Sequence, residues 1–316
     1  MLSRTADNLF WLSRYVERAE YLARILDATQ RLSALPLAYV GTSNEWESAV
    51  ATAGCAAAFF RVYEEANEEN VTDFLVFSGS NASSIRSCFE HARSNARAVR
   101  TALTVEMWEA INGAWLELKR YGNGNGTGSR EELTRFLRWV QETSLRYDGS
   151  AYRTMLRNDA YWFSRLGVYV ERADNTARIL DVKYYVLLPS ISWVGSTLDN
   201  YQWESILRSV SAHRSYRWVY EAEYKPTNIA DYLILNARMP RSLTFCYRFV
   251  IEHLDFLARD YSARHACHDT AECIHKMLKV GSIKDIFDAG LHEFLASFIR
   301  ENTRLGDQIA LDYRFY

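Results

Sequence analysis

The sequence predicts an all-α protein: a duplicated helical bundle, with two pseudo-two-fold-related halves in one compact body. Three observations point there. Only four prolines interrupt 316 residues, and the long stretches between them carry apolar residues at the helical period, with no sustained strand alternation. Hydrophobic residues make up 48% and aromatics 14%, enough to bury a substantial core. The third observation is a helix written twice. LSRYVERAEYLARILD (12–27) and LGVYVERADNTARILD (166–181) agree at 11 of 16 positions without a gap, where ordinary residue usage gives roughly one.

Taken in order, the period predicts helices near 3–34, 45–66, 81–100, 102–120, 130–147, 154–187, 198–221, 240–264, 267–279 and 283–313. Two short apolar runs, DFLVF (73–77) and DYLIL (231–235), are strand-like in composition. Each leads quickly into polar residues and a new helix, so both read as short helical turns or buried connectors. YGNGNGTGSR (121–130) holds four glycines and two asparagines. It cannot propagate a helix and reads as a surface loop joining antiparallel neighbours.

The repeat extends beyond the first helix. Val40-Gly41 recurs as Val194-Gly195, and WES at 46–48 as WES at 203–205. Residues 71–75 resemble 229–233, and Ser84, Ile85 and Cys88 resemble Ser242, Leu243 and Cys246. Halves of roughly 1–150 and 151–316 in a single domain are too long for a short-period solenoid. Packed about a two-fold, they meet through self-complementary contacts.

Glu17-Arg18 and Glu171-Arg172 sit inside the repeated helix. Leu12, Tyr15, Ala19, Leu22, Ala23, Ile25 and Leu26 form one apolar arc, with Glu20, Arg24 and Asp27 opposite. Glu20 and Arg24 make an i,i+4 pair, repeated as Asp174 and Arg178. Arg18 and Arg172 fall on the apolar arc, where a lone guanidinium is costly, so each should meet a carboxylate or a ligand anion. Glu171 for Arg18 and Glu17 for Arg172 are the candidates, with Glu47 and Glu204 of the WES segments as alternatives. Two roles stay open for these residues: buried ion pairs that set the register of the halves, or a cleft.

These segments, with NASSIRSCFEHARSNARAVR (81–100), resemble the alpha-E family, bacterial α-helical proteins named for a Glu-Arg motif. The resemblance covers essentially the whole chain. The family's usual Asn-Pro reads Asn81-Ala82 here, and Arg14 is matched by Val168. Genes of this family lie beside those for circularly permuted ATP-grasp ligases, transglutaminase-like proteins and, in some cases, proteasome-related peptidases. The resemblance therefore implies a part in making or modifying peptides or amides, with the ligase and the transglutaminase-like protein as partners. It does not by itself imply catalysis by this chain.

Arg86, Arg93, Arg97 and Arg100 follow at spacings of seven, four and three, within about 60° of helical arc, and Glu90 joins that face. The corresponding second-half residues are Thr244, Ile251, Asp255 and Ala258, so the stripe is not part of the repeated scaffold. It reads as a site for an anion or an acidic partner, with a solvated face, or pairing with Glu106 and Glu109, as the plainer alternative. His265, Cys267, His268, Cys273 and His275 carry zinc-ligand chemistry. They are spread around one helix in no standard spacing, and no metal or cofactor is expected.

A net charge of −2 and pI near 6.4 make nucleic acid an unlikely general partner. No run approaches a transmembrane length, and the N-terminal residues lack a signal core. Five cysteines form no paired framework, which fits a reduced cytoplasm. No nucleophile elbow, phosphate loop or metalloprotease motif occurs. The leading reading is an accessory or co-catalytic subunit of an ATP-grasp-dependent system. A stand-alone enzyme with a Glu-Arg cleft and an RNA or aminoacyl-tRNA binding module are the alternatives, and a homo-oligomer is left open.

Overall fold

The computed structural model describes residues 1–34, 44–122, 129–185, 197–221 and 224–315. These form fifteen α-helices with no strand among them. The first half contains α1 (Ser3–Ser33), α2 (Glu45–Thr52), α3 (Ala56–Phe59), α4 (Glu68–Thr72), α5 (Ile85–Ala98), α6 (Val105–Gly122) and α7 (Arg130–Thr154). The second contains α8 (Asp159–Tyr185), α9 (Thr197–Ser209), α10 (His213–Tyr220), α11 (Pro226–Ile234), α12 (Leu243–Tyr261), α13 (Ala266–Val280), α14 (Ile283–Ala289) and α15 (Leu291–Asp312). The strand-like runs are helical: 73–77 is a π turn continuing α4, and 231–234 closes α11.

Three expected long helices are broken, each at a residue with positive φ. The 45–66 stretch stops after α2 at Gly54 (φ 70), 198–221 at Ser211 (φ 56), and 283–313 at Gly290 (φ 98). Apolar periodicity runs across such corners because both flanking helices face the same core. The Gly/Asn loop falls largely outside the described residues, as do the Val40-Gly41 and Val194-Gly195 matches.

Helices α1 and α8 are the axis of the molecule. Helix α1 packs on α8, α5, α7, α9 and α2; α8 packs on α1, α12, α15, α2 and α9. The outer neighbours run in the same chain order, α5 to α6 to α7 around one and α12 to α13 to α15 around the other. Serine caps open α5 and α12 at matching places. Ser84 accepts from the Ser87 amide at 3.1 Å and Ser242 from the Phe245 amide at 3.1 Å, each satisfying an amide that has no intrahelical partner. Buried apolar side chains from both halves join in one continuous cluster.

The segment with the histidines and cysteines is structural where it is buried. His265 caps α13, its own amide donating to His268 Nδ1 at 3.0 Å, while Asp312 accepts from the Cys267 amide at 2.7 Å. Among the described residues, no group of three or more His, Cys, Asp or Glu is placed to hold a metal, and no helix is long and apolar enough to cross a membrane.

The α1–α8 crossing is so close that a Cβ at Gly167 would lie 2.2 Å from the Phe10 carbonyl oxygen. Backbone at that distance cannot yield as a flexible side chain can. Gly167→Ala should therefore cost about 3 kcal/mol despite the roughly 1 kcal/mol gain in helix propensity. Chemical denaturation of the variant measures this; an unchanged or raised midpoint would refute the close crossing.

Candidate functional site

Because α1 has neighbours all round its middle turns, Glu20 and Arg24 of its polar face are buried, while Asp27 nearer its end stays partly exposed. Glu17 and Glu20 retain 3% and 2% of their exposure and Arg24 8%. The arc of Glu20 and Arg24 is thus a second internal interface rather than a solvated face.

The two Glu-Arg pairs are exchanged between the halves. Arg172 meets Glu17 through two parallel bonds, Nε to Oε1 at 2.9 Å and Nη2 to Oε2 at 2.9 Å. Arg18 meets Glu171 in the same way, Nε to Oε1 at 2.6 Å and Nη2 to Oε2 at 3.1 Å. Each carboxylate also takes another arginine. Arg241, just before α12, donates to Glu17 at 2.9 Å and to Glu20 at 2.7 Å. Arg14, one turn before Arg18, donates to Glu171 at 2.7 Å. Fork-to-fork geometry of this kind is the strongest that a guanidinium offers a carboxylate.

The i,i+4 pairs extend the cluster. Arg24 Nε reaches Glu20 at 2.8 Å, and Arg178 Nε reaches Asp174 at 2.6 Å. Ser144 of α7 donates to the other oxygen of Glu20 at 2.7 Å. Both arginines also reach across to the other half. Arg24 Nη1 donates to the hydroxyl of Ser211 at 2.8 Å, at the end of α9. Arg178 lies against Gly54, at the end of α2, where a Cβ would come within 2.6 Å of its Nη1. Gly54 and Ser211 are the residues at which those helices turn with positive φ.

Six guanidinium groups (Arg14, Arg18, Arg24, Arg172, Arg178 and Arg241) thus gather around four carboxylates (Glu17, Glu20, Glu171 and Asp174). Burial alone would raise the carboxyl of Glu17, but Arg172 and Arg241 outweigh it and bring it to about 2. Glu171 falls to about 2 in the same way, through Arg18 and Arg14 against burial. Burial lowers Arg24, with repulsion from Arg241 beside it. Cys88 and Cys246 occupy matching places near Arg18 and Arg172, and burial pushes both thiols up to about 12. Carboxylates this acidic do not exchange protons near neutrality, and thiols this weak are not nucleophiles there.

Glu17, Arg18, Arg24, Glu171, Arg172 and Arg178 therefore converge as the sequence suggested. Glu47 and Glu204 do not join them. Glu47 is exposed on α2, and Glu204 pairs with Arg208 at 2.9 Å, with His213 Nε2 at 3.3 Å. Both stand on short helices one layer out from the crossing. Arg14 and Arg241 were not among the expected site residues; Glu20 and Asp174, expected as the i,i+4 partners of Arg24 and Arg178, are found in those pairs. Arg14 had a signal, lying four residues before Arg18 on the same face; Arg241 had none, since it comes from irregular chain before α12.

The arginine stripe is elsewhere. Arg86, Arg97 and Arg100 are exposed along α5 and the 3-10 turn after it. Arg93 is half-buried, its Nε donating to Asn112 of α6 at 3.0 Å, and Arg100 covers the Trp108 ring at 4.7 Å. Among the described residues none of the four meets a carboxylate, so pairing with Glu106 or Glu109 is not how they are held.

An all-helical chain whose two axial helices trade Glu-Arg pairs defines a class by that hub. The Alpha-E model, described as a predicted alpha-helical domain with a conserved ER motif, matches residues 1–313, and the chain belongs to that family. No curated protein and no solved structure matches it.

Acid should loosen the hub. The folded-state values of Glu17 and Glu171 lie below the ordinary 4.5, so their contribution is complete above the unfolded value and is lost as pH falls from about 5 towards 2. Replacing Glu171 with Gln leaves Arg14 and Arg18 facing a neutral amide and should cost about 3–5 kcal/mol at neutral pH. It should also flatten the acid limb of the stability curve. Denaturant melts across that pH range check both; a variant matching the parent at every pH would show that the pairs contribute nothing.

Proposed function

We propose that this chain is a cytoplasmic accessory or co-catalytic subunit, docking with an ATP-grasp amide or peptide ligase rather than carrying out the chemistry alone. The observation that carries the reading is the state of the motif carboxylates. Glu17 and Glu171 are buried, each is held by two arginines, and both are acidic to about 2. Such groups suit a rigid register lock, and they leave a stand-alone enzyme with a Glu-Arg cleft without its acid. The five free cysteines accord with a reducing compartment. We also read the halves as copies related by a near two-fold, a reading supported by the exchanged pairs and by the matching neighbours of α1 and α8.

The docking face in this reading is the arginine stripe. Four like charges on one face disfavour a helix slightly; Glu90 shares that face, and among the described residues none of the four arginines makes a close ion pair. An acidic partner surface would offset that repulsion. A transglutaminase-like protein is the second candidate partner on the same family grounds.

The test is co-purification from the native host with the ligase, at low and high salt. Arg86→Glu with Arg97→Glu should leave the melt within about 0.5 kcal/mol of the parent, since both side chains are exposed, and should weaken the complex. Undiminished binding would reduce the stripe to a solvated face. Turnover of a peptide or amide by the isolated chain would favour the stand-alone enzyme, and salt-sensitive RNA binding lost in the variant would favour the nucleic-acid reading.

A further inference from the structure

The stripe ends at Arg100, and the next four residues, Thr101 to Thr104, line a surface pocket with exposed apolar residues near it in the chain. Leu2, Val105, Tyr152 and Leu156 are 79%, 68%, 63% and 75% exposed. They come from three parts of the chain: the start of α1, the start of α6 and the end of α7. A hydrogen bond between the Thr104 and Thr154 hydroxyls, 2.7 Å apart, joins the last two. The lining of the pocket includes Thr5, Ala102, Leu103, Met155 and Leu156. Leu156 itself lines the pocket with Leu103 and Met155, Leu2 and Val105 directly follow the lining residues Met1 and Thr104 in the chain, and Asn158 and Asp159 complete its polar side; large exposed apolar groups gathered at a pocket mark an interaction surface.

The rim of this patch is basic. Arg97 and Arg100 approach along the stripe, and Arg153 and Arg157 leave the end of α7, all four exposed. Arg157 is fixed by bonds to the end of α7, its Nη1 donating to the Met155 carbonyl at 2.9 Å, with its guanidinium 3.9 Å from the centre of the Tyr161 ring. None of the four pairs with a carboxylate among the described residues. The nearby acids are Glu106, exposed, and Asp159, which is occupied by the amino terminus at 3.0 Å and by the Tyr261 hydroxyl at 2.8 Å.

We propose that this patch seats a segment of a partner protein in which an apolar side chain is flanked by carboxylates. The apolar side chain enters the pocket against Leu103, Met155 and Leu156, and the carboxylates meet Arg97, Arg100, Arg153 and Arg157. A buried apolar anchor within a charged rim is the usual anatomy of a small interface. Guanidinium groups that meet no carboxylate among the described residues select an acidic segment over a basic one. The inference deepens the docking face proposed above and rests on it for the identity of the partner, though not for the chemistry of the seat.

The probe is a short labelled peptide alternating leucine and glutamate, followed by fluorescence anisotropy against the full chain. Two control peptides replace its leucines with serine or its glutamates with glutamine. The parent should bind the first peptide and discriminate against both controls. Leu156→Ser should weaken binding by about tenfold with an unchanged melt, and Arg100→Gln with Arg153→Gln should remove most of the salt dependence. Equal binding of all three peptides, or no effect of Leu156→Ser, overturns the proposal. So does self-association lost in Leu156→Ser, which would make a second copy the occupant, or RNA displacing the peptide. If the ligase still co-purifies with the Leu156→Ser chain, the seat falls and the accessory role stands. If the peptide binds and is lost on mutation while no ligase co-purifies, the accessory role falls and the seat stands.

Discussion

Everything central in this structure depends on one exchange: Glu17 held by Arg172 and Glu171 held by Arg18. A buried carboxylate or guanidinium is tolerated only when its charge and its hydrogen-bonding positions are met. Here each is met by the opposite axial helix. The exchange fixes the register of α1 against α8 at side chains that apolar packing alone would let slide. It also explains how α1 can be enclosed round its middle turns while keeping a charged face. Gly167 belongs to the same constraint, because the bidentate reach between the helices requires the backbones to meet where a methyl group would not fit.

The hub is not a closed set of neutral pairs. Among the described residues its six arginines outnumber its four carboxylates, and the extra cations come from different places: Arg14 from α1, Arg241 from the chain before α12. Since Arg14 is matched by Val168 in the repeat, the two sides reach similar electrostatic ends by different routes. The excess positive charge is relieved at the periphery, where Arg18 and Arg178 keep 23% and 28% side-chain exposure. Function, in this reading, lies in what the halves do not share, and α5 with its arginines is the clearest such element.

Much of this was legible in the sequence because helical period and a repeated motif are local signals. The all-helical fold, the central helix pair and the exchange of Glu17 and Glu171 followed from spacing and from the cost of an unpaired buried arginine. The breaks at Gly54, Ser211 and Gly290 were not legible, since apolar periodicity continues through them. The burial of Glu20 was not legible because a helical wheel shows which residues share a face and not what covers it, and Glu20 is enclosed by Ser144 and Arg241 from distant parts of the chain. Arg241 reaches the hub from irregular chain, where no period exists to be read. The seat beside Leu156 was invisible for a related reason: its residues are distant in sequence, and exposure belongs to the assembled surface.

The exchange also has a consequence in time. Among the described residues the arginines that hydrogen-bond Glu17 are Arg172 and Arg241, both of the second half and made only after the first half is complete. Until then the first half carries a carboxylate that its own apolar neighbours cannot enclose without the full cost of desolvation. Full enclosure of Glu17 becomes favourable only once the second half is present. A pairing that reinforces the finished molecule therefore also sets an order on its completion, with the second half needed before the middle of α1 can be closed over.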